Sequence, residues 1–195
     1  MDSKQRIGVL GGSFDPPHLG HLGIAEFVAS NRQLDKVLFV VANIQWQKAA
    51  EEEMLDSLHR LAMVELAVEE IDGFYASNIE IKRGGDSVTV ETLEALCEAD
   101  PEARYELIIG ADNASTISTW RRSDELEQYA EIIVVGRPGF YFSDAEKQFN
   151  FVTLDGPRFD VSSEAIRCAV KSGDPIDHLV PNSVGDYIHQ KGLYR

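Results

Sequence analysis

Cysteines and long hydrophobic stretches are scarce in this chain of 195 residues, which has two cysteines and no run of 18 apolar residues. Cys97 and Cys168 lie far apart, each inside a helix-like pattern, so the dense disulfide framework of small secreted domains is absent. We therefore expect two buried free thiols in a reducing compartment. The missing apolar run argues against a transmembrane helix, and the polar start of the chain lacks a signal-peptide core. These features predict a cytoplasmic protein.

Basic residues are also few, because Lys and Arg number 18 against 33 Asp and Glu, which gives a formal net charge of −15. Nucleic acids and anionic membranes bind basic protein surfaces, so we predict neither as a partner. The charge is unevenly distributed along the chain. Residues 1–40 contain four bases and four acids, and the rest of the chain carries the whole net charge of −15. An anionic ligand would therefore need a local binding site that attracts it despite the negative electrostatic field of the whole chain.

Apolar, β-branched segments alternate with segments of helical period along the chain. We predict strands at 6–10, 36–42, 75–81, 105–109, 132–136 and 149–153. We predict helices at 18–31, 54–72, 87–99, 123–130, 162–172 and 182–191. This alternation predicts an α/β fold, a Rossmann-like doubly wound parallel sheet with helices on both faces. Residues 1–195 are expected to form a single domain, with a C-terminal helical part at about 156–195.

The segment directly after the first strand, GGSFDPPHLGH, combines adjacent glycines with two histidines. Ligand sites of open parallel sheets lie beyond the carboxyl ends of the strands. Glycines let backbone approach a ligand closely, and the N-terminus of the following helix attracts anions. The segment matches neither the G-x-G-x-x-G of dinucleotide sites nor the G-x-x-x-x-G-K-[ST] phosphate loop. His18 and His21, three residues apart, lie on one face of the helix start.

Paired histidines have two simpler interpretations. A lone histidine most often fills a surface or core position, and a histidine pair can bind zinc. Helical zinc sites, however, usually place the histidines four residues apart and add a third ligand, for which no supporting cluster exists here. The glycine pair, Asp-Pro-Pro and His-x-Gly-His on one strand-to-helix turn together favour phosphate binding over both alternatives.

These residues resemble the signature of the H-x-G-H nucleotidyltransferase superfamily, and the chain is most similar to its bacterial nicotinate-mononucleotide adenylyltransferase family. The resemblance continues in order through nearly the whole sequence. It includes the Trp-Gln-Lys of 46–48, the R-x-x-M of 60–63, the segment 83–93, the G-x-D of 110–112 with Trp120, the R-P-G turn of 137–139 and the S-S-x-x-I-R of 162–167. The first motif identifies the superfamily, and the later motifs identify the family.

The resemblance implies an enzyme that transfers the adenylyl group of ATP to nicotinate mononucleotide, forming nicotinate adenine dinucleotide and pyrophosphate in NAD biosynthesis. Its catalytic residues would be His18, His21, Arg167 and Lys48. The histidines would donate hydrogen bonds to phosphate oxygens, and Arg167 and Lys48 would bring positive charge to them. In-line transfer of this kind depends on positioning and charge stabilisation. The expected cofactor, Mg²⁺, would be bound mainly through ATP rather than by a protein metal site.

The resemblance also assigns residues to the two substrates. Those implied for ATP are Gly11, Gly12, Ser13, Phe14, Gly110, Asp112, Arg137, Ser162 and Ser163. Those implied for the pyridine mononucleotide are Thr89, Val90, Trp120 and Trp46. Trp120 would stack on the pyridine ring, the backbone of Thr89 and Val90 would lie near its carboxylate, and Asp112 would accept hydrogen bonds from ribose hydroxyls.

Three positions depart from the family pattern. Val41 and Gln45 stand where the loop after the second strand usually has prolines, which bears on the placement of Lys48. Glu164 replaces a threonine beside the expected phosphate site, where its charge would either repel triphosphate or interact favourably with the helix N-terminus. These departures bear more on the exact substrate than on the class of reaction.

Several alternatives stay open at the level of sequence. The enzyme could prefer nicotinamide mononucleotide, or act as a pantetheine-phosphate adenylyltransferase or a cytidylyltransferase, although Trp120 and segment 87–93 count against the last two. A protein of a different class would be a catalytically inactive nucleotide-binding regulatory module, which the intact His18, His21 and Arg167 disfavour. The pair 121–122 (Arg-Arg) is predicted to be a solvated helix start. The oligomeric state is left open, a homo-oligomer included.

Overall fold

The computed structural model describes residues 4–44, 54–136 and 148–195, which contain six parallel strands of one sheet. The strands are β1 Arg6–Gly12, β2 Lys36–Val41, β3 Phe74–Ser77, β4 Arg104–Gly110, β5 Ala130–Gly136 and β6 Phe151–Asp155. Their spatial order is β3-β2-β1-β4-β5-β6, and every neighbouring pair is parallel. The order reverses between β1 and β4, which is the place where such sheets bind ligands.

Helices cover both faces of this sheet. They are α1 Leu19–Arg32, α2 Ser57–Val68, α3 Ile79–Arg83, α4 Thr89–Ala99, α5 Ala111–Ala114, α6 Leu126–Tyr129, α7 Ser163–Ser172 and α8 Asn182–Lys191. Two short 3₁₀ turns, Ile117–Thr119 and Ser123–Glu125, precede α6. Within the described ranges, no helix has both the length and the apolar character that crossing a bilayer requires.

Alternate residues along the strands pack into two separate hydrophobic clusters, one on each face. Ile108 of β4 joins the cluster that contains Val64 of α2 and Ile166 of α7. Its neighbour Leu107 joins the cluster that contains Leu93 of α4. Burial on both faces explains why the strand segments are continuously apolar, and the predicted doubly wound α/β fold is confirmed. The assignment of the whole chain to a single domain stays a prediction.

The strand predicted at 75–81 is wrong over its second half, because β3 ends at Ser77 and the chain then forms α3. The Ile-Glu-Ile sequence inside α3 alternates like a strand, and its two isoleucines pack into the clusters of opposite faces. Glu80 lies between them, only 7% exposed, and accepts a hydrogen bond of 2.6 Å from the Thr92 hydroxyl. This tertiary contact decides the local conformation, and sequence periodicity does not record it.

Two predicted helices are shorter than expected. The helix predicted at 54–72 begins only after Asp56, whose carboxylate caps α2 by accepting from the Leu58 N–H at 2.8 Å, and it ends at Val68. The helix predicted at 123–130 reduces to a 3₁₀ turn and the short α6, because Ala130 is already the first residue of β5.

The prediction of two buried thiols is wrong for Cys168. Both cysteines are free, but Cys168 is exposed on α7, whose buried residue is Ile166, two positions earlier and so on the other side of the helix. Cys97 is half-buried on α4, and its thiol lies 3.6 Å from the Tyr129 carbonyl oxygen. Burial raises the pKa of the Cys97 thiol.

A cluster of ion-paired side chains lies at the amino-terminal edge of the sheet. Glu106 of β4 is 3% exposed and binds two arginines from the first forty residues. The Nε of Arg6 donates to one carboxylate oxygen at 3.0 Å, and the Nε of Arg32 donates to the other at 2.7 Å. Arg32 also pairs with Glu131, and its hydrogen bond to Glu106 raises its pKa. These two arginines therefore serve the fold at the edge opposite to the strand carboxyl ends.

Candidate active site

The glycine-rich loop, residues 11–18, leaves β1 at the switch between β1 and β4 and leads into α1. Phe14 anchors it, with a side chain only 1% exposed and a backbone in the left-handed region at φ 50°. A Cβ on Gly12 would lie 3.1–3.3 Å from the Phe14 ring, so glycine lets the loop fold tightly over that ring. Gly11 is exposed, and a Cβ there would meet no atom within 4 Å. The loop thus presents bare backbone at the sheet edge.

The two histidines of the motif form one stacked unit at the start of α1. Their ring centroids are 3.6 Å apart at an interplanar angle of 22°. His18 is the N-cap residue, and its backbone N–H donates to Nδ1 of His21 at 3.2 Å. Because Nδ1 of His21 is the acceptor, the neutral His21 ring carries its proton on Nε2. The edge of Phe14 packs against His21 at 4.9 Å, which fixes that ring further.

His18 is a buried, neutral histidine. Its side chain is 8% exposed, and burial lowers its pKa to about 4. Its Nδ1 is buried, and the part of the chain that the structure describes offers it no hydrogen-bond partner. A Cβ on Gly20 would lie 3.0 Å from that nitrogen and 2.9 Å from Cγ1 of Val161. The glycine inside H-x-G-H is therefore needed to admit the His18 ring.

Arg60 of α2 holds the glycine-rich loop in place through hydrogen bonds. Its side chain is only 1% exposed. Its guanidinium donates to three carbonyl oxygens, those of Ser13 at 2.8 Å, Asn43 at 3.0 Å and Leu55 at 2.9 Å. The loops that follow β1 and β2 are thereby bound to the start of α2. Burial lowers the pKa of Arg60, while the nearby carboxylate of Asp15 acts in the opposite direction.

Asp15 joins the loop to the C-terminal part of the chain. Its carboxylate, in a residue 5% exposed, accepts a hydrogen bond of 2.6 Å from the Tyr194 hydroxyl. Its carbonyl oxygen accepts from Arg167 at 2.9 Å, and the next carbonyl, that of Pro16, accepts from the Ser163 hydroxyl at 2.8 Å. Burial, followed by the charge of Asp15, raises the pKa of Tyr194. The structure thus brings two predicted phosphate-binding residues, Arg167 and Ser163, to the histidine loop.

The N-terminus of α7 is built around the predicted serine pair. Ser162 is the N-cap residue, and its hydroxyl accepts from the Ala165 N–H at 3.1 Å. Glu164 is exposed in the first turn, where a carboxylate interacts favourably with the helix dipole. The predicted catalytic Arg167 lies one turn further along the same helix.

A pocket opens at the carboxyl ends of β1, β2 and β4, next to the glycine-rich loop. Residues that line it include Gly11, Gly12, Thr89 and Trp120. Two residues predicted for ATP and two predicted for the mononucleotide therefore share one pocket. Val90, by contrast, is fully buried in the core, so a contact from it can come only from its backbone.

The remaining predicted residues fall into two groups. Gly110 ends β4 and Asp112 is exposed in the first turn of α5, so both lie at the same sheet edge. Lys48, Trp46 and Arg137 lie outside the described residues, as does the departure at Gln45.

Sequence reasoning missed two arginines. Arg60 is part of the R-x-x-M motif but was given no role. Its neighbours in the sequence do not indicate that its side chain is buried under two loops. Arg121 was predicted to be a solvated residue, and its side chain is indeed exposed, but its guanidinium also binds Asp86 at 2.7 Å and the residue is among those that line the pocket. Arg122 is also ion-paired, with Glu94 at 3.2 Å and with Glu125 at 2.6 Å.

Comparison with known proteins extends over nearly the whole chain. The family profile described as cytidylyltransferase-like matches residues 9–169. A nicotinate-nucleotide adenylyltransferase from Bacillus subtilis is 37% identical over 97% of this chain and 98% of its own length. Relatives named probable nicotinate-nucleotide adenylyltransferase include one from Herpetosiphon aurantiacus, 36% identical over 97% of this chain and 98% of its own. Another, from Geobacillus thermodenitrificans, is 39% identical over 97% and 86%.

Solved structures share the fold. A nicotinic acid mononucleotide adenylyltransferase from Plasmodium falciparum, complexed with NaAD, superposes with a TM-score of 0.81 at 19% identity. The same protein complexed with APC gives a TM-score of 0.80 at 19% identity. In both cases, 97% of each chain is covered, so the likeness includes the C-terminal helices as well as the sheet.

The hydrogen bond from Tyr194 to Asp15 predicts a stability loss in Tyr194→Phe. A hydrogen bond to a charged group contributes about 1.5–3 kcal/mol, and we expect the free energy of unfolding in urea to fall by about that amount. Tyr75→Phe is the matched control, because Tyr75 is 49% exposed and should change stability by less than about 0.5 kcal/mol. Equal stability of the two variants would contradict the anchoring role.

The low pKa of His18 predicts a loss of stability in acid. Between its ordinary pKa of 6.5 and the folded value of about 4, the unfolded chain holds a proton that the folded chain does not. The free energy of unfolding therefore falls as the pH is lowered through this window. From pH 6.5 to about 4.5, His18→Gln should lose about 2 kcal/mol less stability than the unaltered protein.

Denaturant unfolding at a series of pH values measures this difference. His189→Gln is the control, since it removes a histidine that is exposed rather than buried. A His18→Gln variant with the slope of the unaltered protein would show that His18 is not held neutral by the fold.

Proposed function

We propose that this chain, which belongs to the nicotinate-nucleotide adenylyltransferase family, transfers the adenylyl group of ATP to nicotinate mononucleotide and forms nicotinate adenine dinucleotide and pyrophosphate. The observation that carries the proposal is the stacked His18–His21 pair at the N-terminus of α1, on a loop that Arg167 also binds. This step belongs to NAD biosynthesis.

The reaction needs no nucleophile from the protein. An oxygen of the mononucleotide 5′-phosphate attacks the α-phosphorus of ATP, a new P–O bond forms, and the bond to pyrophosphate breaks. The protein contributes positioning and stabilisation of the charge that develops on the phosphate oxygens. A loop fixed by Arg60 and Asp15 is suited to this role, because its donors need not reorganise during the reaction.

The histidine pair supplies N–H donors in this proposal. Nδ1 of His21 is held by the His18 backbone, so the Nε2–H is the donor that His21 directs at a phosphate oxygen. His18 stays neutral at pH 7 because burial lowers its pKa to about 4. A neutral His18 at a helix N-terminus binds phosphate without placing a charged imidazolium in a buried position.

Arg167 and the start of α7 receive the departing pyrophosphate. Arg167 is already bound to the loop carbonyl of Asp15, and the Ser162–Ser163 helix start adds backbone N–H groups. The family resemblance assigns Lys48 to the phosphates and Arg137 to the adenine. It assigns Trp46 to the mononucleotide. In this proposal Gly110 and Asp112, at the carboxyl end of β4, contact the adenosine.

The pocket beside the loop receives the pyridine end of the mononucleotide. Trp120 and Thr89 line it, so the indole can stack on the pyridine ring while the start of α4 lies near the ring substituent. Val90 contributes its backbone there, since its side chain is buried.

Mg²⁺ is proposed to arrive with ATP. It would neutralise part of the charge of the phosphates. Across residues 4–44, 54–136 and 148–195, no group of three His, Cys, Asp or Glu side chains is placed to hold a metal ion. Substrate oxygens and water are the ligands that this proposal assigns to the ion. The same proposal places the enzyme in the cytoplasm and leaves its assembly state to measurement.

The test is to incubate the protein with Mg²⁺, ATP and one acceptor at a time, following pyrophosphate release and the dinucleotide product. The acceptors are nicotinate mononucleotide, nicotinamide mononucleotide and phosphopantetheine. We expect pyrophosphate and nicotinate adenine dinucleotide in equal amounts with the first. Release with phosphopantetheine alone would favour the pantetheine branch, and no release with any acceptor would favour an inactive nucleotide-binding module.

His21→Ala should fold normally and lose turnover. Removal of a preoriented donor to a transition-state oxyanion lowers kcat by about 100- to 1,000-fold. The control is His178→Ala, which removes an exposed histidine before α8 and should keep the full rate. Unchanged kcat in His21→Ala, measured by pyrophosphate release, would remove the assigned role.

A further inference from the structure

Glu80 of α3 is a buried carboxylate that lines the pocket beside the glycine-rich loop, and the proposed reaction gives it no task. The Thr92 hydroxyl, in a residue only 2% exposed, donates to Oε1 of Glu80 at 2.6 Å. The Thr92 oxygen in turn accepts from NH1 of Arg83 at 3.1 Å. A buried carboxylate is costly unless it is hydrogen-bonded, so this contact holds α3 and α4 to each other.

The N-terminus of α4 has no side-chain cap. Its N-cap residue is Val88, whose side chain makes no capping hydrogen bond. The first N–H groups of a helix have no acceptor within the helix, and here no side chain takes that place. Val88 and Thr89 both line the pocket. The start of α4 therefore offers backbone N–H groups to a ligand in the pocket.

Two contacts from different directions fix the rotation of α4 about its axis. Successive residues of an α-helix are about 100° apart, so Val90 and Leu93 lie about 60° from each other, and Thr92 lies about 100° from Leu93 on the far side from Val90. Val90 and Leu93 pack into the hydrophobic core, and such contacts are not directional. The hydrogen bond from Thr92 to Glu80 is directional, and it sets which N–H groups of the first turn face the pocket.

We propose that Glu80 is a positioning residue for the mononucleotide site. Through Thr92 it holds the uncapped N-terminus of α4 at the pocket, and it acts without touching the substrate. This inference rests on the proposed function and adds a residue to its mononucleotide site. The contact does not include the histidine loop, so its loss should weaken binding of the mononucleotide and spare binding of ATP.

The first experiment compares Thr92→Val, which removes the hydroxyl, with Thr92→Ser, which keeps it. In Thr92→Val, KM and the calorimetric Kd for nicotinate mononucleotide should rise roughly fivefold or more, with kcat and the KM for ATP changed less than about twofold. Thr92→Ser should return the mononucleotide constants to within about twofold of the unaltered enzyme. Thr153→Val is the matched control, since it removes the hydroxyl of an exposed threonine on β6 and should leave every constant unchanged.

A double-mutant cycle tests whether Glu80 acts through Thr92. Glu80→Met replaces the carboxylate by an apolar side chain and should raise the same KM as much as Thr92→Val does. The variant with both substitutions should show no further rise, because the two remove one and the same contact. Glu80→Gln keeps an acceptor oxygen for the hydroxyl and should stay closer to the unaltered enzyme than Glu80→Met. Rises that multiply in the double variant would show that the two residues act independently, which contradicts the proposal.

The remaining outcomes separate this proposal from the proposed function. If the unaltered enzyme makes the dinucleotide and Thr92→Val keeps its mononucleotide constants, the positioning role is overturned and the proposed function stands. Equal rises in KM for both substrates would mean that the contact supports the whole fold, and would also overturn the role. Failure of the unaltered protein to form any dinucleotide would overturn the proposed function, on which this inference rests.

Discussion

The buried guanidinium of Arg60 is the contact on which the arrangement of the site depends. A buried charge is costly unless it is paired and hydrogen-bonded, and Arg60 is bound to three backbone carbonyls with Asp15 nearby. Through those carbonyls, one side chain fixes the loop after β1, the loop after β2 and the start of α2. The histidine loop and the pocket beside it therefore depend on this one side chain for their positions.

Local chemistry accounted for much of the fold and for the centre of the site. Continuous apolar runs identified the buried parallel strands, and the glycine turn with two histidines predicted where the chemistry would lie. The residues that were missed owe their roles to long-range contacts. Arg60 reaches back 47 positions to Ser13, and Arg121 reaches back 35 to Asp86. Helix α3 was misread because Glu80 is held by Thr92, a partner that periodicity cannot reveal.

The folded structure also changes how the charge distribution along the sequence should be interpreted. The first forty residues are neutral in sum, but two of their four bases, Arg6 and Arg32, are bound to Glu106 at the far edge of the sheet. The proposed phosphate site therefore draws little on them. In that proposal it relies on helix N-termini, the imidazoles of the histidine pair and a few placed cations such as Arg167, which would let a chain of net charge −15 bind anions.

The hydrogen bond between Tyr194 and Asp15 joins positions 179 residues apart, so it is among the last contacts of the loop to form as the chain is synthesised. At the usual elongation rates of 5–20 residues per second, about 10–40 s separate the making of the loop from the making of the tyrosine that holds it. During that interval the nascent chain can already form β1 and α1, yet the carboxylate beneath the histidines lacks its hydroxyl partner. The loop therefore reaches its full set of contacts only when the polypeptide is nearly finished.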